Sequence, residues 1–161
     1  MSIVIYTIIA TVISKTTTVK QVPIMSLVNS VNYFNKHVII LIKFIMKKIP
    51  KNKTLESLMD MVKDVINMSA SKLIMEAYPY VISELDHIQK KDILYFIKKG
   101  PEYKNAAKLA APQQSKLIQP LIKIINDNKT IFRPLDIQYI WNLINRIAIA
   151  CSDYSFNLQK K

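Results

Sequence analysis

The sequence predicts an all-α fold, a compact bundle of about six or seven helices, led by an N-terminal β-branched segment that reads as a strand or a short hydrophobic helix. Three observations carry this expectation. Apolar residues return at i, i+3, i+4 and i+7 in segment after segment, the spacing of one buried helix face. Half of the 161 residues are hydrophobic, enough for a core and too many for a disordered basic tail. The only glycine is Gly100, where general usage of roughly 7% would supply about ten. Phosphate-cradling glycine loops and Asn-Gly hairpins are thereby excluded. The length suits one domain over residues 1–161, with a hydrophobic segment at 1–22 and a helical bundle at 23–158.

Residues 3–13 are uncharged and rich in Ile, Val and Thr, which favours a buried strand. This stretch is about half the length a helix needs to cross a bilayer, and a cleaved signal or a membrane anchor are the alternative readings. From Ile24 the period changes. Leu27, Val31, Phe34, Val38, Leu41, Ile42, Ile45 and Ile49 share one broad helical face, with Asn29, Asn32, Lys36, Lys43 and Lys47 opposite. Pro50 ends this long helix, and its last lysines complement the negative C-terminal end of the helix dipole.

Thr54 is the expected cap of the next helix, whose stripe is Leu55, Leu58, Met59, Val62, Val65 and Ile66, running to about Met68. Ser71 opens a further stretch that Pro79 is expected to split or kink into 72–78 and 80–90. Asp92 caps a short helix at 93–97, which Gly100 and Pro101 terminate. Pro101 begins another helix through Ala106 to Ala111, and Ser115 caps one striped by Leu117, Ile118, Leu121, Ile122 and Ile125. The last helix starts at Pro134. Its buried stripe is Ile137, Ile140, Trp141, Ile144, Ile147, Ala148 and Cys151, with Asp136, Gln138, Asn142, Asn145 and Arg146 on its polar face.

The net charge of +12 is unevenly placed. Residues 1–55 hold eight lysines and no acid. Residues 54–89 form an acidic island, with six carboxylates against Lys63 and Lys72. Residues 90–129 hold nine lysines against Asp92, Glu102 and Asp127. Within that last region Lys90, Lys91, Lys98, Lys99, Lys104, Lys108, Lys116 and Lys123 occur in pairs and at helical spacing, with Tyr95 and Tyr103 interleaved as stacking residues would be. The expected chemistry is contact with a nucleic-acid backbone, RNA ahead of DNA, without base readout, because lysine offers a point charge and not a planar fork. The alternative partner is an anionic membrane surface, or a host protein or second copy, met by Lys36, Lys43, Lys47, Lys48 and Lys51 on the apolar N-terminal third.

Catalytic material is scarce. His37 and His87 are the only histidines, and one Glu84-x-x-His87 spacing falls short of the two copies and extra carboxylates of a di-iron site. The pair reads as solvated side chains on an acidic face. Cys151 lies on an apolar stripe and reads as an inert core thiol. No metal, cofactor, small-molecule substrate or enzymatic activity is therefore expected. Sequons at Asn52, Asn67 and Asn128 matter only in a secretory pathway. A glycine-poor, Ile/Lys/Asn-rich helical protein of this kind suits an accessory or effector role, a viral one included, with a cytoplasmic location ahead of a membrane-associated one.

Overall fold

In a computed structural model of the protein, residues 24–92, 94–95, 121 and 123–160 are described, and every regular element among them is helical. The fold is all-α, as its periodicity requires. The elements are α1 (Leu27–Lys48), α2 (Lys53–Met68), α3 (Lys72–Ser83), α4 (Leu85–Gln89) and α5 (Pro134–Gln159), with a further helical stretch at 123–127. Residues 1–23, Gly100, Lys98, Lys99, Tyr103, Lys104, Lys108 and Lys116, and the helices expected through 101–120, lie outside the described residues.

α1 starts where Ser26 Oγ accepts the N–H of Asn29 at 3.2 Å and stops before Pro50, as the sequence predicts. Chain reversal into α2 uses Lys51 at φ 62°, a left-handed position glycine would occupy more easily. The expected cap Thr54 is displaced by Asn52, whose Oδ1 accepts the N–H of Leu55 at 3.1 Å. A sequon asparagine is thus a helix cap. Pro79 does not divide the third stretch. α3 continues through it to Ser83, with Leu73, Ile74 and Ala77 buried on one side and exposed Pro79 on the other. Core packing outweighs the lost backbone bond there, and the break falls at Glu84 instead.

α4 ends in a Schellman turn. The N–H of Asp92 reaches the carbonyl of His87 at 3.0 Å and that of Lys91 reaches Ile88 at 3.1 Å, with Lys91 at φ 54° in the place usually taken by glycine. Asp92 Oδ1 then accepts the N–H of Tyr95 at 3.1 Å, which makes Asp92 the cap its position predicted.

α1 and α5 run antiparallel and make the most extensive helix contact among the described elements. α5 lies between α1 on one side and α3 and α4 on the other. The core has two parts. One joins Val31, Phe34, Val38 and Ile42 of α1 to Leu58, Met59 and Val62 of α2, Leu73 and Ile74 of α3, and Ala150, Cys151 and Tyr154 of α5. The other lies at the opposite end of the α1–α5 pair, where Leu41, Ile45 and Leu55 meet Ile124, Phe132, Ile140 and Leu143. Leu143, Ala150 and Tyr154 lie beyond the stripe predicted for α5, because a helix with partners on two sides buries a wider arc. Ile124 is likewise buried although absent from the stripe predicted there.

Candidate polyanion-binding surface

The predicted polar face of α5 needs a correction at Asp136. Its side chain is buried, and it receives Lys48 Nζ at 2.9 Å on Oδ1 and the backbone N–H of Arg133 at 2.9 Å on Oδ2, with Arg133 Nε at 3.4 Å. Its bond to the Arg133 N–H is the carboxylate half of a capping box at the start of α5, the N3 side chain reaching back to the cap backbone. The Lys48 hydrogen bond, then the Arg133 N–H, hold the Asp136 carboxyl below the ordinary aspartate range, against the opposing effect of burial. Lys48 also lies 5.7 Å from the centre of the Phe44 ring. Of the cations predicted to face a partner, Lys48 is committed to an internal ion pair.

The remaining lysines of α1 are free on its surface. Lys36, Lys43 and Lys47 are exposed on the face opposite the core, as is Lys51 in the following turn. α1 contains no carboxylate to neutralise them. The second part of the core then decides what joins them. Because Ile124, Phe132 and Ile140 pack onto Leu41, Ile45 and Leu55, exposed Lys123, Lys129 and Arg133 come to the same end of the molecule as Lys43, Lys47, Lys51 and Lys53. Among the described residues, the exposed carboxylates at this pole are Glu56 and Asp127. Lysines from separate regions of the chain are thereby gathered at one end of the molecule, while Asp60 and Asp64 lie further along α2 toward its other end.

Lys90 and Lys91 are exposed on the Schellman turn, on an element that packs against α5 and α3. Tyr95 beside them is half-buried and stacks on His87, with ring centroids 3.4 Å apart and planes 2° from parallel. One ring face is therefore already occupied, so stacking on a base is limited to the other. His87 Nδ1 also lies 3.4 Å from Asp92 Oδ2. Its predicted companion Glu84 is buried rather than solvated, and it makes contacts of its own. The two side chains do not form an exposed acidic-face pair.

No cluster of three or more His, Cys, Asp or Glu among the described residues could hold a metal ion. Cys151 is fully buried, and burial pushes its thiol up to about 12, far from the thiolate a nucleophile needs. Burial, with neighbouring Tyr78, likewise raises the Tyr154 phenol. No helix among the described residues is long and apolar enough to cross a membrane. Against known proteins, no family model matches this chain, and neither a curated protein nor a solved structure matches it.

Two functional features emerge only in the folded chain, the basic pole and the buried carboxylate of Asp136. The basic pole depends on contacts between residues about 80 apart in the chain, which no local pattern encodes. Asp136 did carry a signal, since it stands three residues after Arg133 at a helix start, the position from which a carboxylate returns to the cap N–H.

Proposed function

We propose that this protein is a non-enzymatic helical accessory or effector protein that holds a nucleic-acid backbone, RNA ahead of DNA, on its basic pole. The observation that supports this reading is the convergence of Lys43, Lys47, Lys51, Lys53, Lys123, Lys129 and Arg133 around one end, with two exposed carboxylates there among the described residues. Such a surface concentrates positive potential where phosphates approach and attracts them over a Debye length, about 10 Å at 0.1 M salt. Lysines dominate it, so binding is to phosphate and tolerant of sequence. The predicted basic residues Lys98, Lys99, Lys104, Lys108 and Lys116, with Tyr103, belong to the proposal on sequence grounds alone.

Fluorescence anisotropy with single-stranded and duplex RNA across a salt series tests it. Log affinity is expected to fall linearly with log salt, by roughly 0.7–0.9 per neutralised phosphate. The Lys47→Glu, Lys51→Glu, Lys123→Glu triple variant should bind more weakly and with a shallower slope. Absence of binding at roughly 50 mM salt, or equal binding by the triple variant, would sink the proposal. Preferential binding to vesicles of anionic lipid would replace RNA with a membrane surface.

A further inference from the structure

α5 carries a second apolar stripe, on the side away from its core. Leu135, Tyr139, Ile149 and Phe156 are 74, 41, 52 and 42% exposed. Together with Asn142, Arg146 and Asp153 between them, they occupy positions 135, 139, 142, 146, 149, 153 and 156. The steps alternate four and three, which is the seam spacing by which one helix receives another. A helix that exposes such a seam over six turns is unusual for a surface whose neighbours are all its own.

α1 forms one wall of this seam. Phe44 meets Tyr139 edge to face at 4.7 Å, Lys48 pairs with Asp136, and Met25 is bonded to Asp153 and Asn157. These contacts set the antiparallel register, and within it Lys36 lies level with Arg146, and Lys47 level with Leu135. Half-buried Ile40 and Phe44 continue the apolar floor from α5 toward α1. The face is thus an apolar strip with the cation Arg146 at its middle, level with Lys36 of α1 along the pair. It has little acid of its own: α1 contains none, Asp136 is buried, and Asp153 Oδ2 accepts the Met25 N–H at 3.1 Å.

We infer that the α1–α5 face docks an amphipathic helix of a partner protein, one whose apolar seam is interrupted near its middle by Glu or Asp. Charge complementarity selects this occupant. Arg146, exposed on the seam, is desolvated without compensation unless the incoming helix supplies a carboxylate. A second copy supplies the wrong group. Full overlap of two α5 stripes, parallel or antiparallel, brings Arg146 against Arg146, and the register that would offer Asp153 instead slides Leu135 beyond the end of its mate. The inference does not rest on the nucleic-acid reading: the Leu135 end of the seam reaches Lys47 of the basic pole, but the residues that carry it, Arg146, Ile149 and Phe156, lie further along α5.

The probe is a fluorescein-labelled synthetic peptide of about 22 residues, three turns of helix on each side of a central glutamate, with leucines at the alternating three- and four-residue spacing. The full chain should bind it, and Ile149→Asp and Arg146→Glu should each weaken binding about tenfold or more. Both side chains are exposed, so the fold is expected to persist, which circular dichroism checks. A peptide with lysine in place of the central glutamate should restore binding to Arg146→Glu. The inference is overturned if neither peptide binds, or if a scrambled peptide of equal composition binds as well. It is also overturned if light scattering shows a dimer that Ile149→Asp dissolves, which would assign the stripe to a second copy.

Discussion

The two ends of the α1–α5 pair are closed by different chemistry. At the C-terminal end of α1, Lys48 and the Arg133 N–H converge on a buried carboxylate at the edge of an aliphatic and aromatic cluster. At its N-terminal end the link is made by hydrogen bonds to the Met25 backbone: its N–H donates to the Asp153 carboxylate Oδ2, and Asn157 Nδ2 donates to the Met25 carbonyl at 2.7 Å and to that of Asp153 at 2.8 Å. The first link joins a region with many cations and uses one of them internally. The second joins the point where the chain enters α1 to the last turns of α5. A single antiparallel pair is thereby held in one register at two places, by an ion pair sensitive to acid and by hydrogen bonds of which one uses an amide that does not titrate.

The comparison is broken most strongly through the core. Phe34→Ala, at the N-terminal end of α1, should cost about 3–5 kcal/mol, and Leu143→Ala at the other end about 2–5 kcal/mol, measured by urea unfolding. Both side chains are 1% exposed, so neither site has a solvated face through which to relax. Similar losses would show that both parts of the core belong to one cooperative unit. Two separate transitions would show instead that the ends unfold independently.

Asp136→Asn separates the two ends by pH. The folded carboxyl lies below its unfolded value, so its contribution to stability is present above that value and is lost as pH falls through the folded one. The urea midpoint of the variant should lie below that of the wild type at pH 7, with the gap closing as pH drops below about 4. A gap that stayed constant with pH would mean that Lys48 and Asp136 contribute no charge interaction.

The smallest effect is expected at the amide-linked end. Asn157→Ala removes two hydrogen bonds in a half-buried site and should cost about 1 kcal/mol. That loss should not change between pH 7 and pH 3. Dependence on pH here would move the contribution from Asn157 to neighbouring Asp153.

Much of this architecture is legible in the sequence. The eight apolar residues predicted for the first helix all lie on its inner side, and Pro50, Pro134 and Asp92 mark helix boundaries where helix chemistry places them. Three errors share a physical origin. Of the split or kink expected at Pro79 the split does not occur, because local rules count the missing N–H without the packing of Leu73, Ile74 and Ala77 that holds the helix together. Asn52 outcompetes Thr54 as a cap although both residue types accept hydrogen bonds well. Helical spacing alone puts Asp136 on the polar face of α5, and only a lysine from a helix nearly 90 residues away in the chain turns that position inward. The inner polar residues of α1 show the same limit. Asn35 Nδ2 binds the carbonyl of Ala70 at 2.8 Å, and His37 Nδ1 donates to the carbonyl of Tyr33 at 2.7 Å. Both side chains fall outside the apolar spacing of α1, and the carbonyls that hold them are not encoded in that spacing.

By itself the sequence determined that this chain is helical, which side of each long helix is apolar, and that its charge is carried by lysines in two segments. Those properties follow from residue spacing at 3.6 per turn and from composition, both of which are local. Only the tertiary structure decided which lysine is spent on Asp136, which lysines meet at one pole, and that α5 has a second apolar seam left on the surface. Each of these depends on the register between α1 and α5, and that register is set by contacts between segments about a hundred residues apart.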